Sequence, residues 1–341
     1  MRPRYSVIRP FMLVLLLVSL ACLGGQQKPA KAADAPAVVT PALFPGVQIF
    51  PIQVMQKKGI AAKYNLEVKP VMLAGPQAVY QRMRRDDFQV GFGAWPTIAQ
   101  LRQAGAKVVM VYSMLGYTNE ILVKKDSPIK SIADLKGKKV AVFGGPGAGT
   151  TAMFLLEMKK YYQFDPKKEA HIFYGAPGLV AAELERGEVD AALLLEPFSD
   201  KLLATGKFRS VGNLGKIWEE HNHSSPMLLA LVMGEKWSND NPDVAKRFVA
   251  AYSESLSYLK TNKEIWTELA AGIHIKDPKA VELLRTNASA ALIDKWDESY
   301  VQSQLKFAAQ LTSLFEKGGS SKVDLSSVFT TRFVPKAMNG K

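Results

Sequence analysis

Residues 73–96 read LAGPQAVYQRMRRDDFQVGFGAWP, and residues 174–197 read YGAPGLVAAELERGEVDAALLLEP. The two stretches superimpose without a gap at an offset of 101 residues. Pro76 falls on Pro177, Val79 on Val180, Arg85 on Arg186 and Pro96 on Pro197. Apolar positions coincide as well: Met83 with Leu184, Phe88 with Val189, Phe92 with Leu193. The same offset lays Pro45-Gly46 on Pro146-Gly147. Identities are few, so the shared pattern carries the argument. It predicts two similar lobes that present the same loops to a common cleft, a place suited to holding a small molecule.

Outward from the repeat, helices and strands alternate. Val54 to Lys63, Gln77 to Arg85 and Thr97 to Ala104 have helical patterns, with strands expected at Leu66 to Met72, Phe88 to Phe92 and Lys107 to Ser113. The pattern restarts with a strand at Val140 to Phe143, a loop at Gly144 to Gly149 and a helix at Thr150 to Tyr162. A strand at His171 to Tyr174, a helix at Val180 to Arg186 and a strand at Val189 to Leu195 complete the second copy. Such alternation predicts an α/β architecture, each lobe a mostly parallel sheet flanked by helices. A further strand, Met227 to Met233, has no counterpart in this reading, and long amphipathic helices follow it. Asn241-Pro242 and Asp277-Pro278 are helix starts, a cap residue before a proline at the first helical position. Gly318-Gly319-Ser320-Ser321 breaks the last long helix. The second copy interrupts the first, so two chain crossings form a hinge, near 117–121 and 222–226. The expected division is 43–119 plus 224–341 for one lobe and 120–223 for the other, with Ala/Pro-rich residues 33–42 as a loose leader.

The first 32 residues differ in kind. Arg2, Arg4 and Arg9 precede the apolar run Phe11 to Leu23, and Ala30-Lys31-Ala32 offers small residues at signal-peptidase spacing. This reads as an export signal with Ala33 as the first mature residue. Cys22, the single cysteine, follows Ser19-Leu20-Ala21, an arrangement close to a lipoprotein box. Cleavage after Ala32, giving a soluble protein, and lipidation of Cys22, giving a membrane-tethered one, both remain open. Either way the mature part carries no thiol beyond Cys22, which excludes disulfides, thiolate metal sites and cysteine nucleophiles. Five basic and no acidic residues of the +13 chain fall in this segment, leaving +8. The remaining lysines are dispersed, without the arginine cluster and aromatic stripe of a nucleic-acid groove. A modest preference for anionic ligands is permitted.

The richest local signal is Gly144-Gly145-Pro146-Gly147-Ala148-Gly149-Thr150-Thr151. It follows a strand and opens a helix, so N–H groups and the helix dipole converge there, which suits an anion. A nucleotide-triphosphate loop would need Lys where Thr150 stands, and a dinucleotide fingerprint would need a carboxylate where the next strand ends in Phe173-Tyr174-Gly175. A glycine turn serving only packing is the other reading. The matching loops are Phe44-Pro45-Gly46-Val47-Gln48, Gly93-Ala94-Trp95-Pro96-Thr97 and Leu195-Glu196-Pro197-Phe198, all at carboxyl ends of strands. Trp95 can pack on a ligand or in the core, and Glu196 can bind a polar group or cap a helix. His221 and His223 beside Glu219-Glu220 lack a four-ligand set and read as solvated. No G-x-S-x-G elbow occurs.

The chain resembles the periplasmic solute-binding proteins of ABC importers for nitrate, sulfonates, taurine and related compounds, a group that extends to thiamin-pyrimidine-like members. The resemblance rests on GIAAKYNLEV at 59–68, DSPIKSIADLKGKKVA at 126–141, LERGEVDAA at 184–192 with Glu196-Pro197, and NPDV at 241–244. It implies a monomeric, two-lobed, non-enzymatic protein without a cofactor that closes on a small organic anion and delivers it to a membrane permease. Where many relatives have a small polar pair, Ala94-Trp95-Pro96 stands here, which favours a smaller pocket or a planar ligand such as a thiamin precursor, a flavin or an aromatic acid. An enzyme on the same fold acting on a heterocycle is the reading from another class. The expected ligand contacts are Phe44, Gly46, Gln48, Trp95, Pro96, Thr97, Tyr117, Asn119, Gly145, Gly147, Gly149, Thr150, Thr151 and Glu196, with no metal.

Overall fold

Among the described residues, twelve strands form from the alternating apolar segments: β1 (Ala37–Val39), β2 (Pro41–Leu43), β3 (Leu66–Val68), β4 (Val71–Met72), β5 (Val90–Ala94), β6 (Val108–Gly116), β7 (Glu120–Lys124), β8 (Lys139–Phe143), β9 (His171–Gly175), β10 (Ala191–Leu194), β11 (Phe208–Asn213) and β12 (Met227–Gly234). The computed structural model describes residues 35–44, 46–146, 148–312 and 324–334. The export signal, Cys22, Pro45, Gly147 and the break at Gly318 to Ser321 lie outside the described residues.

Two five-stranded sheets result, in the orders β4-β2-β5-β12-β6 and β9-β8-β10-β7-β11. Their directions correspond strand for strand. The first three strands of each sheet are mutually parallel (β2 with β4 and β5, β8 with β9 and β10). The fourth is antiparallel to both neighbours (β12 to β5 and β6, β7 to β10 and β11). The chain is α/β, as expected, with parallel ladders confined to the first three strands of each sheet. The correspondence supplies the counterpart that Met227 to Met233 lacked: β12 occupies in one sheet the place that β7 holds in the other. The strand following β6 enters the second sheet, and the one following β11 and its helix returns to the first. Exchange of these two strands is what makes the chain cross twice.

Strands buried on both faces read as continuous apolar runs, and β6, β10 and all but one residue of β12 are buried throughout. The leader expectation needs correction. Ala37 to Val39 pairs with β3, and Pro41 to Leu43 pairs with β4 and β5 near the middle of the first sheet. Alternating small and branched residues there provide a pleated surface that Pro41, at a strand's first position, does not interrupt. The two helix starts form where expected, at Pro242–Thr261 and Pro278–Ala291. Asp277 caps the second by accepting from Ala280 N at 2.8 Å. Asn241 instead turns its side-chain amide to Trp237 O at 2.9 Å. Among the described residues no helix is long and apolar enough to cross a membrane.

Candidate functional site

Parallel strands release their chains at carboxyl ends, so the loops after β2, β5, β8 and β10 carry the candidate residues. After β2, Gly46 leads into the short turn Val47–Ile49. Gln48 is buried there and folds back, its Nε2 donating to Phe44 O at 2.7 Å. After β5, the helix Trp95–Gln103 begins at once. Thr97 is half-buried at its first turn. After β8, Gly145 O accepts from Ala148 N at 3.0 Å and from Thr151 Oγ1 at 2.8 Å, which closes the loop onto the helix Gly149–Tyr162. Thr150 and Thr151 are both buried.

The two helix starts meet. A Cβ added at Gly149 would lie 2.8 Å from Pro96 Cγ and 3.6 Å from the Tyr117 hydroxyl. Two helix N-termini, one following a strand of each sheet, are therefore in contact, and each brings a positive dipole end to the junction. The crossing segments lie beside them and are bonded together: Tyr117 N donates to Pro226 O at 3.3 Å, and Leu214 N to Asn119 O at 2.9 Å. A Cβ at Gly215 would fall 2.0 Å from the Tyr117 carbonyl oxygen, so no larger residue fits at that junction.

Trp95 is 1% exposed and meets Phe307, on the helix Glu298–Thr312, edge to face at 6.0 Å. Tyr117 and Trp218 meet the same ring at 5.9 and 4.7 Å. Of its two open readings, Trp95 thus takes the packed one, with its indole N–H beside the Tyr117 hydroxyl in poor geometry. His221 and His223 are both exposed, as expected, but the His221 ring is also held. It stacks on Tyr161 at 3.9 Å with Nδ1 2.8 Å from Ile217 O, because the helix Leu214–Asn222 packs against Gly149–Tyr162. Among the described residues no group of three His, Cys, Asp or Glu side chains is placed to hold a metal ion.

Several buried polar atoms at these loops have no partner: both side-chain atoms of Asn119, Glu196 Oε1, Ser199 Oγ and Asp200 Oδ2. Such orphans are uncommon in folded proteins and mark places where another group is expected. Glu196 does not cap a helix; its Oε2 accepts from Thr118 Oγ1 at 2.6 Å, and Asp200 Oδ1 accepts from Asn287 Nδ2 at 2.7 Å. Burial, with the nearby Asp200 charge second, pushes the Glu196 carboxyl up to about 8. Burial pushes Asp200 up to about 7. A cavity of about 680 Å³ lies against Thr118, Asn213, Asn287 and Gln304. Much of its polar wall is satisfied within the protein, since Asp294 binds Tyr112 and Ser253, Asn213 binds Glu120, and Gln304 binds Met227 N, while the Tyr300 hydroxyl on it is unpaired. The orphaned atoms of Asn119, Glu196, Ser199 and Asp200 cluster on the first crossing segment, the loop after β10 and the first turn of the helix Phe198–Ala204, and these segments are the better candidate.

Thr118, Ser199, Asp200 and Asn287 were not foreseen. Asp200 stands four residues after Glu196, a spacing any helix surface shows, and Asn287 is brought in only by tertiary packing. Glu157 was missed too. It is fully buried on the helix Gly149–Tyr162, with both oxygens unpaired, and burial raises its carboxyl to about 10. Unfolded, these three carboxyls ionise near their ordinary values of 3.8 and 4.5. Above that range the folded chain keeps protons that the unfolded chain has released. Their contribution is full below about pH 4 and is lost as pH rises through the folded values. The melting temperature is expected to fall between pH 5 and 9, and Glu157→Met to raise stability at pH 8 by about 1–3 kcal/mol. Calorimetry across that range checks this; a flat profile in both proteins contradicts it.

The family described as NMT1/THI5 like matches residues 47–264, and the chain belongs to it. A Bacillus subtilis (strain 168) protein provisionally named as binding aliphatic sulfonates is 25% identical over 223 residues, 64% of this chain. The match spans 62% of that relative's length. The Escherichia coli periplasmic aliphatic sulphonate binding protein SsuA superposes with a TM-score of 0.71 at 18% identity, over 86% of this chain and 92% of its own. The desulfurization enzyme DSZB superposes with a TM-score of 0.61 at 17% identity, over 87% of this chain and 97% of its own. At these identities the superpositions establish the two-sheet α/β fold.

Proposed function

We propose that this NMT1/THI5-like protein is the extracytoplasmic substrate-binding component of an ABC importer, holding a small sulfonate-like organic anion between its two sheet units and passing it to a membrane permease. The observation that carries this reading is the meeting of the Trp95–Gln103 and Gly149–Tyr162 helix starts, one from each sheet unit. Apposed positive ends attract a negative group and repel one another without it. Residues 43–119 with 224–341 form one lobe and 120–223 the other, and a ligand that touches both favours the closed arrangement. Release to the periplasm after Ala32, or tethering through Cys22, suits that task, and binding needs only a monomer.

The name of the Bacillus subtilis relative supports a sulfonate class. The fold shared with DSZB favours a second reading, an enzyme on this scaffold. Titration of tryptophan fluorescence with alkanesulfonates, nitrate and aromatic acids separates the two. We expect a saturable change with sulfonates and no product by mass spectrometry after prolonged incubation. Turnover by the purified chain would establish the enzyme reading, and silence toward every anion would remove the binding one.

A further inference from the structure

We propose that the cavity beside the two crossing segments is a second binding site, for a small oxyanion of at least two negative charges, whose occupant steadies the hinge. The cavity, of about 680 Å³, is lined by Gly116 to Thr118 and by Ser224 to Pro226, which belong to the crossings themselves. Asn213, Lys216 and Glu219 reach it from the end of β11 and the helix that follows, on the side of the second sheet. Lys260, Thr286 and Tyr300 reach it from three helices that follow β12, on the side of the first. A molecule that fills it therefore touches both sheet units and the chain that joins them. No residue of the helices Trp95–Gln103 and Gly149–Tyr162 lines it, so it is separate from the site between those helix starts.

The lining selects the sign of the occupant. Lys216, Lys260 and Lys295 stand against Glu219 and Asp294. Both carboxylates are already spent on hydroxyls. Asp294 accepts from Tyr112 at 2.8 Å, Ser253 at 2.7 Å and Ser257 at 2.6 Å, and Glu219 accepts from Ser225. No ion pair among the described residues includes Lys216, Lys260, Glu219 or Asp294, and Lys295 pairs only with Asp297, at 3.6 Å. Tyr300, in the first turn of the helix Glu298–Thr312, is 9% exposed, and its hydroxyl has no partner. A buried hydroxyl left open marks a place where another group is expected. A cation would meet three ammonium groups and find the carboxylates taken. An oxyanion offers acceptors to lysines and hydroxyl alike, and two or three charges on it match the lysines. Phosphate and a tricarboxylate such as citrate share that chemistry.

Tyr117 joins the two sites: it lines the cavity, and its hydroxyl lies 3.5 Å from Gly149 O. The cavity has this shape while the two helix starts touch. An occupant held from both sides favours that arrangement and so strengthens the grip on a ligand between the helix starts, with the reciprocal effect required by linkage. This last step alone rests on the binding reading above.

Calorimetric titration of the folded chain at low ionic strength with phosphate, citrate and acetate tests the site. We expect phosphate and citrate to bind one to one, and acetate at least about tenfold more weakly. The tighter of the first two names the source of the anion. Lys216→Gln with Lys260→Gln should weaken both about tenfold or more, and Tyr300→Phe, which keeps the ring, about fivefold. Lys167→Gln with Lys168→Gln removes the same charge from an exposed helix outside the cavity and should change nothing. Equal weakening in that control, or unchanged affinity without Lys216 and Lys260, overturns the inference. With citrate present, ethanesulfonate should bind about fivefold more tightly. Competition between them would place both anions at the helix starts and overturn the cavity assignment. Should ethanesulfonate fail to bind at all, the reading of the cleft fails, while the lysine variants still decide the cavity.

Discussion

Phe307→Ala is expected to cost about 3–5 kcal/mol of stability, the range for removing a buried aromatic ring from a packed site. The ring is 4% exposed and is shared edge to face by Trp95, Tyr117 and Trp218. Those residues belong to the helix after β5, the first crossing segment and the helix after β11, so the cavity would open where both sheets and their connection meet. Partial collapse is hindered, because three aromatic neighbours cannot all move into one space. Phe307→Leu should recover more than half of the loss. Denaturant unfolding followed by tryptophan fluorescence measures both, and a loss below about 1 kcal/mol would show that the cluster is not the junction described.

Gly149→Ala is expected to weaken ligand binding about tenfold or more while leaving stability nearly unchanged. The new carbon would sit 2.8 Å from Pro96 Cγ and 3.4 Å from Pro96 Cδ, and a proline ring cannot swing aside. The two helix starts must separate, which withdraws one set of N–H groups from a ligand shared by both. Alanine is meanwhile the better helix former by up to about 1 kcal/mol, which offsets the crowding in the free protein. Gly178→Ala, where the added carbon meets only Phe198 at 3.6 Å, is the matched control and should not alter affinity. Titration and thermal unfolding of the three proteins separate closure from folding. Unaltered affinity in Gly149→Ala would place the ligand elsewhere than between these helices.

The α/β class and the pairing of segments 73–96 and 174–197 were legible because burial on both faces of a parallel ladder demands uninterrupted apolar runs between amphipathic helices. The helices Pro76–Arg82 and Pro177–Arg186 and the strands β5 and β10 keep the repeat's spacing. β11 escaped notice because Phe208 to Asn213 is a half-exposed edge strand carrying Arg, Ser and Gly, with no apolar run to betray it. The Ala/Pro-rich stretch near residue 40 read as loose because composition cannot report which short segment finds a partner. β1 and β2 exist only through pairing with strands distant in sequence.

Of the candidate site, the glycine loop, Trp95 and Glu196 were visible because glycines, a loop tryptophan and a carboxylate at strand ends are local signals. Their orientations were not. Trp95 turns to Phe307, and Glu196 turns to Thr118, since each side chain follows neighbours more than 70 residues away in the chain. The sequence alone determined the layered class, the internal duplication and the loops that end its strands, all of which follow from short-range periodicity. Only the tertiary structure decided that β7 and β12 change places, that two helix starts touch, and that Glu196, Asp200 and Glu120 gather without a base. Those outcomes depend on through-space packing and desolvation, which act between residues that the order of the chain leaves far apart.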